Sequence, residues 1–327
     1  MFSHSYCKSS EQSTGLTRSR THKGILYTHN DHGDGPNIYA IDSATGRNGT
    51  AVAVVNSNQI DQTSGICASR SHPGYLYTHN DHGDGSHIYV LDSKTGHRVS
   101  TITIRGAHNA DWEDIACGPC PRGGNCIYIG KFIAVILVLA KLCDIGNDGT
   151  KHTNVLYRIQ EPVSIDHNGH ADIDAQLHFS WNESDCETLL VDPKGEVYII
   201  SRASGIEVHP KIAHVPMTGW NSHVTVVLKD LVNLNIPLTG NDPTGGDISP
   251  NGKEALIIAH NAMYHFEIPD GMVLLALSAS NPIAVPYIQE PKGEAVSWDN
   301  HGNGYFTLGE GHDQTLYYYG RNTDIVG

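Results

Sequence analysis

Gly24-Ile25-Leu26-Tyr27-Thr28-His29-Asn30-Asp31-His32-Gly33-Asp34-Gly35 returns fifty residues later as Gly74-Tyr75-Leu76-Tyr77-Thr78-His79-Asn80-Asp81-His82-Gly83-Asp84-Gly85. The match runs outward without a gap, from Gly15-Leu16 against Gly65-Ile66 to Ile38-Tyr39-Ala40-Ile41-Asp42 against Ile88-Tyr89-Val90-Leu91-Asp92. A unit of this length made of short strands cannot bury both of its faces alone, so it must stack on copies of itself. The second copy divides into four strands, through residues 64–69, 75–78, 87–91 and 99–104, with Gly, Asp and Asn collected at the turns between them. Four strands and three turns make one blade of a propeller.

Later units follow the same plan with less literal identity. They start at Asp111-Trp112-Glu113-Asp114-Ile115-Ala116, at Asp185-Cys186-Glu187-Thr188-Leu189-Leu190, at Gly245-Gly246-Asp247-Ile248 and at Gly293-Glu294-Ala295-Val296. With the two copies above, six starts predict an all-β chain forming one six-bladed β-propeller over residues 13–322. The stretch 206–240 is long for one connection, and Val224-Thr225-Val226-Val227-Leu228 reads as an outer strand within it. Residues 131–143 are a second departure, an apolar run that separates Ile127-Tyr128-Ile129-Gly130 from Asp144-Ile145-Gly146-Asn147. The run is either noncoding sequence retained in the reading frame, an extra element covering one face, or a buried or oligomeric contact. It is too short to span a membrane as a helix, and no transmembrane anchoring is expected.

Composition narrows the function classes. Of 327 residues only 17% are charged, with 34 Gly and 15 Pro, which suits a turn-rich β domain. The 35 acidic against 21 basic residues give a net charge of −14, so nucleic acid is excluded as a natural partner and a cation is favoured. No Gly-x-Ser-x-Gly elbow, phosphate loop or dinucleotide fingerprint occurs. Residues 1–8 lack the basic start and apolar run of a signal peptide, which predicts a cytoplasmic protein if this is the true start and a secreted one if a leader precedes it. Cys117-x2-Cys120-x5-Cys126 has no second Cys/His pair to complete a zinc knuckle, and in a secreted protein a local disulfide such as Cys117 with Cys126 is the better reading.

Superposing the unit starts brings Glu113, Glu187, Asp247 and Glu294 to related positions on the innermost strands. A second set stands at the end of the following strand: Asn80 with Asp81, Asn261 and Glu310. Antiparallel neighbours put the start of one strand beside the end of the next, so both sets meet at one face of the ring. Crowded carboxylates either take up protons or share a cation, and carboxylates mixed with amide oxygens suit Ca²⁺. Glu113, Glu187, Asp247, Glu294, Asn80 and Asn261 are therefore the expected metal ligands, and His79, His260 and Glu310 the candidates for proton transfer beside them. The blander alternative has these acids and amides accepting backbone hydrogen bonds with no metal.

The succession Asn80-Asp81, Asp111-Trp112-Glu113-Asp114-Ile115-Ala116, Tyr157-Arg158-Ile159-Gln160-Glu161-Pro162, Gly246-Asp247-Ile248-Ser249-Pro250 and Gly293-Glu294-Ala295 resembles a family of largely uncharacterised propellers marked by a Trp-Glu-Asp-Ile-Ala motif. The resemblance covers residues 64–319 and departs where residues 131–143 break the family's Gly-Asp-Ile-Gly-Asp-Asn turn. More remotely, central acids and Asn look like the calcium site of six-bladed gluconolactonases and related propellers. That resemblance implies a calcium-dependent hydrolase of a small lactone or ester; the alternative is a non-enzymatic propeller that binds a small molecule or glycan, or serves as a scaffold.

Overall fold

Short strands, most of them buried along nearly their whole length, build the architecture seen in the computed structural model, which describes residues 48–55, 57–132, 154–183, 185–202, 208–237, 242–260, 262–290 and 292–321 and the backbone of three earlier strands. Those three are β1 (Ser13–Arg18), β2 (Ile25–Asn30) and β3 (Ile38–Asp42), followed by β4 (Asn48–Val55). Blade one is β5 (Thr63–Ala68), β6 (Tyr75–Asn80), β7 (His87–Asp92) and β8 (Arg98–Arg105); blade two is β9 (Trp112–Pro119), β10 (Asn125–Lys131), β11 (Asn154–Gln160) and β12 (Gly169–Ser180). Blade three comprises β13 (Cys186–Val191), β14 (Val197–Ser201), β15 (Lys211–Val215) and, after the two-residue β16 (Val226–Val227), β17 (Val232–Asn233). Blade four is β18 (Pro243–Ile248), β19 (Glu254–Ala259), β20 (Ala262–Glu267) and, after helix α1 (Val273–Ala279), β21 (Ile283–Val285). Blade five is β22 (Gly293–Trp298), β23 (Gly304–Gly309) and β24 (Gln314–Gly320).

Among the described residues the innermost strands β5, β9, β13, β18 and β22 neighbour one another in a closed ring, so five blades surround the axis. The difference from six sequence units lies in how the ring closes. Strand β4 pairs antiparallel with β24, Leu316 opposite Ala53, and supplies the fourth strand of blade five. Its other edge pairs with β3, so β1–β3 extend that sheet outward and do not take a sector of their own. The first repeat keeps its four strands paired in order, and its last strand is shared with the closing blade, so the first repeat and blade five form one continuous sheet. Blades one and two are tied at the rim as well, because β12 begins parallel to β8 and continues antiparallel to β11.

The cores lie between blades. Trp112, fully buried, packs with Tyr77, Val90, Ile104 and Ile129 between blades one and two, and Trp298 with Val296 and Ile258 between four and five. Both tryptophans are thus packing residues, on inner strands that are buried along nearly their whole length. Trp220 is half-buried against the neighbouring core, with the Arg158 guanidinium 4.8 Å from its ring centre. The expected outer strand in the long connection is β16, which pairs with β12.

The cysteines pair differently from the expectation. Cys117 bonds to Cys67, joining the inner strands of blades one and two, while Cys120 bonds to Cys126 across the hairpin turn. Register is the reason: Cys117 stands opposite Ile127, so its side chain faces the neighbouring blade and not the partner strand's Cys126. Four thiols held in two bridges leave no zinc knuckle. The apolar run 131–143 lies outside the described residues from 133 on; Lys131 ends β10 and Phe132 is fully buried on Phe179.

Candidate metal centre at the channel mouth

Every innermost strand carries the same local irregularity. Pairing with the second strand slips by one residue between Thr63 and Gly65, Trp112 and Asp114, Cys186 and Thr188, Pro243 and Gly245, and Gly293 and Ala295. The extra residues are Ser64, Glu113, Glu187, Thr244 and Glu294, one per blade. A β-bulge bends its strand and redirects one side chain, and repetition around a ring assembles those side chains about the axis. Ser64 Oγ accordingly lies 3.4 Å from Glu113 Oε2, and the Thr244 hydroxyl donates to Gly293 O at 2.8 Å.

Two further rings follow from the same register. The residues just before the inner strands are Gln62, Asp111, Asp185, Asp242 and Lys292; those just after the second strands are Asp81, Phe132, Arg202, His260 and Glu310. Backbone bonds join them, Asp81 N–H donating to Gln62 O at 2.8 Å, Phe132 N–H to Asp111 O at 3.1 Å and Glu310 N–H to Lys292 O at 2.9 Å. One mouth of the channel thereby gathers eight carboxylates, Asp81, Asp111, Glu113, Asp185, Glu187, Asp242, Glu294 and Glu310. Against them stand Arg202, whose Nη1 is 2.7 Å from Glu187 and 3.8 Å from Asp185, and Lys292, 2.6 Å from Glu310.

The carboxylates converge on Glu113. Oxygens of Asp81, Asp111 and Glu113 lie within 4.8 Å of one another, and so do those of Glu113, Asp185 and Glu187. Burial, then the neighbouring charges of Glu187, Asp81, Asp111 and Asp185, push the Glu113 carboxyl far up. Burial raises Glu187 as well, with Arg202 opposing it, and burial and Glu310 lift Glu294 to about 7. Without a cation, burial and mutual repulsion favour the protonated forms of Glu113 and Glu187. Its donor set is all oxygen, which suits a hard divalent cation such as Ca²⁺ or Mg²⁺ and not zinc or copper.

Of the expected ligands, Glu113, Glu187 and Glu294 stand together here. Asp247 does not. It lies three residues beyond the bulge, on the axis below the mouth, where its Oδ2 accepts from Trp298 N–H at 2.8 Å and Ser297 Oγ at 3.2 Å. The residue of blade four equivalent to Glu113 is Thr244. Asn80 is committed elsewhere too: its amide donates to Gln59 O and Asp84, and its oxygen accepts from Asp61 and Gln62 N–H, which fixes the loop before β5. Asn261 lies outside the described residues.

Of the proton-transfer candidates, His79 is fully buried edge-on against Trp112, its Nδ1 on Asn80 O, with desolvation lowering it to about 4. A solute at the mouth does not reach it. His260 is half-exposed and matches Asp81 in register, so it does belong to the mouth, beside Arg202 and Asp242. Glu310 borders Glu294 and holds Lys292.

Sequence reasoning missed Asp111 and Asp185, although a signal was present. Asp111-x-Glu113, Asp185-x-Glu187 and Asp242-x-Thr244 share one spacing, which anchoring blade four on Gly246-Asp247 conceals. It also missed Asp114, 2% exposed, whose Oδ2 accepts from Leu189 N–H of blade three at 2.8 Å and Oδ1 from Ile115 N–H. Asp114 and Asp247 stitch successive inner strands together below the mouth. Among the described residues a larger groove, of 530 Å³, opens away from these acids at the seam of blades five and one, by Tyr318 and Phe306.

Neither a family model nor a curated protein matches the chain. Solved structures align with most of the chain. Hydrazine synthase of Kuenenia stuttgartiensis is 12% identical over 88% of this chain and 78% of its own, with a TM-score of 0.42. The PQQ-bound aldose sugar dehydrogenase of Streptomyces coelicolor is 10% identical over 83% of this chain and 97% of its own, TM-score 0.47. The Cps50 (Swd1) β-propeller domain of Myceliophteria thermophila is 13% identical over 94% of this chain and 96% of its own, TM-score 0.39. At such identities and scores the likeness carries no argument about function, and it is the closed ring of inner strands in this chain that makes it a β-propeller.

Proposed function

We propose that the protein is a calcium-dependent hydrolase of a small lactone or ester, with the cation held at the acidic mouth by Glu113, Asp185 and Glu187 and by Asp81 or Asp111. The observation that carries the reading is the convergence of carboxylates from three blades on Glu113, within 4.8 Å. Two ionised carboxylates at that separation repel by about 3 kcal/mol at an effective dielectric constant of 20, so a cation is the natural way to ionise several together. When bound, it would polarise an ester or lactone oxygen and lower the pKa of a water.

The chain's own residues supply the rest. Glu294, near 7 and outside the two closest triads, is suited to take a proton from an attacking water at neutral pH. His260 stands across the mouth by Arg202, where an anionic intermediate would meet the guanidinium. The competing reading is a propeller that binds a ligand without turning it over. It rests on Arg202, an internal counter-ion already paired to Glu187. Hydrolysis of a panel of small lactones and aryl esters, with calcium and with chelator, separates the two. Calcium-dependent turnover lost in Glu294→Gln supports the hydrolase; folded, calcium-loaded protein with no turnover on the panel leaves the binding reading.

A further inference from the structure

The outer strands of blade one carry a cleft of about 480 Å³, bordered by Gln59 of the connection before β5. Register places its lining. His87 of β7 stands opposite Thr103 of β8, and Thr103 stands beside His170 of β12, so the three form one row. Tyr89 and Thr101 form the next row, with Asn168 joined to Thr101 just ahead of β12. Residues of one row project from the same face of a sheet, and these all line the cleft.

The lining contains no carboxylate, in a chain whose net charge is −14. It does contain Arg98, which is exposed and partnered unlike other arginines of the fold. Arg105, Arg158, Arg202 and Arg321 each hold a carboxylate, and Arg105 does so with Nε and Nη2, at 2.7 and 2.6 Å from Asp172. Arg98 engages only Nη1, which donates to Gln59 Oε1 and, at 3.2 Å, to Thr101 Oγ1, while the guanidinium lies over the Tyr89 ring. Its Nε–Nη2 edge, the one that Arg105 uses, has no partner among the described residues. Two parallel N–H groups on a planar cation match two oxygens of an oxyanion.

The neighbouring acids are engaged elsewhere. Asp172 is held by Arg105, Asp166 by Ser164 and His167, and Asp61 lies 3.7 Å from His312. Asp84 accepts from the Tyr89 hydroxyl and from Asn80 Nδ2, and burial pushes its carboxyl up. Further donors stand around Arg98. Asn168 Oδ1 accepts from Thr101 N–H at 2.9 Å, which fixes the amide and leaves Nδ2 to donate, and the His87 and His170 imidazoles add ring N–H groups. A carboxylate would occupy the Arg98 edge alone, whereas a phosphoryl group brings a third oxygen for these donors. The cleft is far larger than the anion itself, and its polar walls suit a hydroxylated body and not an apolar one.

We propose that this cleft binds a small phosphate monoester with a hydroxylated body, such as a sugar phosphate, its phosphoryl oxygens on the Nε–Nη2 edge of Arg98 and its hydroxyls on the wall around Thr103 and His170. The site lies on the outer strands of blade one and is independent of the acidic mouth and of whatever reaction occurs there.

The test titrates glucose 6-phosphate, glucuronate and glucose calorimetrically into the metal-stripped full chain, so that no calcium at the mouth meets the phosphate, and into the variants Arg98→Gln and His170→Ala. Glucose 6-phosphate should bind, with glucuronate and glucose each at least tenfold weaker. Arg98→Gln should lose at least tenfold of the glucose 6-phosphate affinity and His170→Ala at least threefold, with melting temperatures that report folded proteins. Both side chains are exposed, and should Arg98→Gln nevertheless fail to fold, His170→Ala carries the comparison. No binding of glucose 6-phosphate, glucuronate or glucose binding as tightly, or an affinity unchanged in a folded variant would each overturn the proposal.

Discussion

Replacing Asp114 with alanine should destabilise the protein by about 3–5 kcal/mol while leaving calcium binding nearly unchanged. The carboxylate is 2% exposed and accepts from Ile115 N–H and Leu189 N–H at 2.8 Å each, with Gly246 N–H a further donor from blade four. Each buried backbone donor deprived of its acceptor costs about 1–3 kcal/mol. Water entering the vacated space recovers part of that for one of the three, which brings the sum to the stated range. Asp114→Asn keeps one acceptor oxygen and should fall between. Urea unfolding followed by tryptophan fluorescence reads the change, because Trp112 and Trp298 are both buried; a shifted midpoint at constant slope is a change in stability. If Asp114→Ala stays within 0.5 kcal/mol of wild type, or folds normally yet loses calcium, the division between stitching carboxylates on the axis and ligand carboxylates at the mouth is wrong.

Glu113→Gln should weaken calcium binding at least tenfold, since Glu113 belongs to both triads, yet leave stability in chelator unchanged or raised because a neutral side chain replaces a crowded acid; calorimetry and melting curves read the two effects. In chelator, stability should fall as pH rises from about 4.5 to 7. Glu294, raised from 4.5 to about 7, and Asp247, raised from 3.8 to about 6, hold protons in the folded state that the unfolded chain has already released, each lowering stability by about 3 kcal/mol across its window, and together they outweigh the opposite effect of His79, lowered from 6.5 to about 4. A melting temperature that climbs through that range would contradict the assigned burial of both. A peptide map without reduction should link Cys67 to Cys117 and Cys120 to Cys126, and Cys67→Ser with Cys117→Ser should cost about 4 kcal/mol by loop entropy across the 50-residue separation. A fragment joining Cys117 to Cys126 would refute the register of β9 against β10.

The fold was legible where the pattern is local. Turn residues and alternation over residues 64–104 mark four strands of one blade, and the recurrence of that unit implies stacking. The blade number was not, because closure depends on which strand an edge recruits: β4 belongs by sequence to the first unit and by pairing to the last blade. The acidic mouth was legible in kind, since Glu113, Glu187 and Glu294 converge as their spacing implies. Its membership was not. A bulge adds one residue with no sequence mark of its own, so a three-residue misalignment brought Asp247 in and left Thr244, Asp111 and Asp185 out. His79 and Asn80 show the same limit from the other side, being polar residues at a strand end whose partners, Trp112 and the 59–62 loop, only the fold reveals.

The most direct test is calorimetric titration of calcium into metal-stripped protein at pH 7.5, alongside the Glu113→Gln and Glu187→Gln variants. One stoichiometric site, with proton release on binding and affinity lost in both variants, is the expected result. Folded protein that takes up no calcium, or takes it up equally in all three, would contradict a cation centre at the channel mouth.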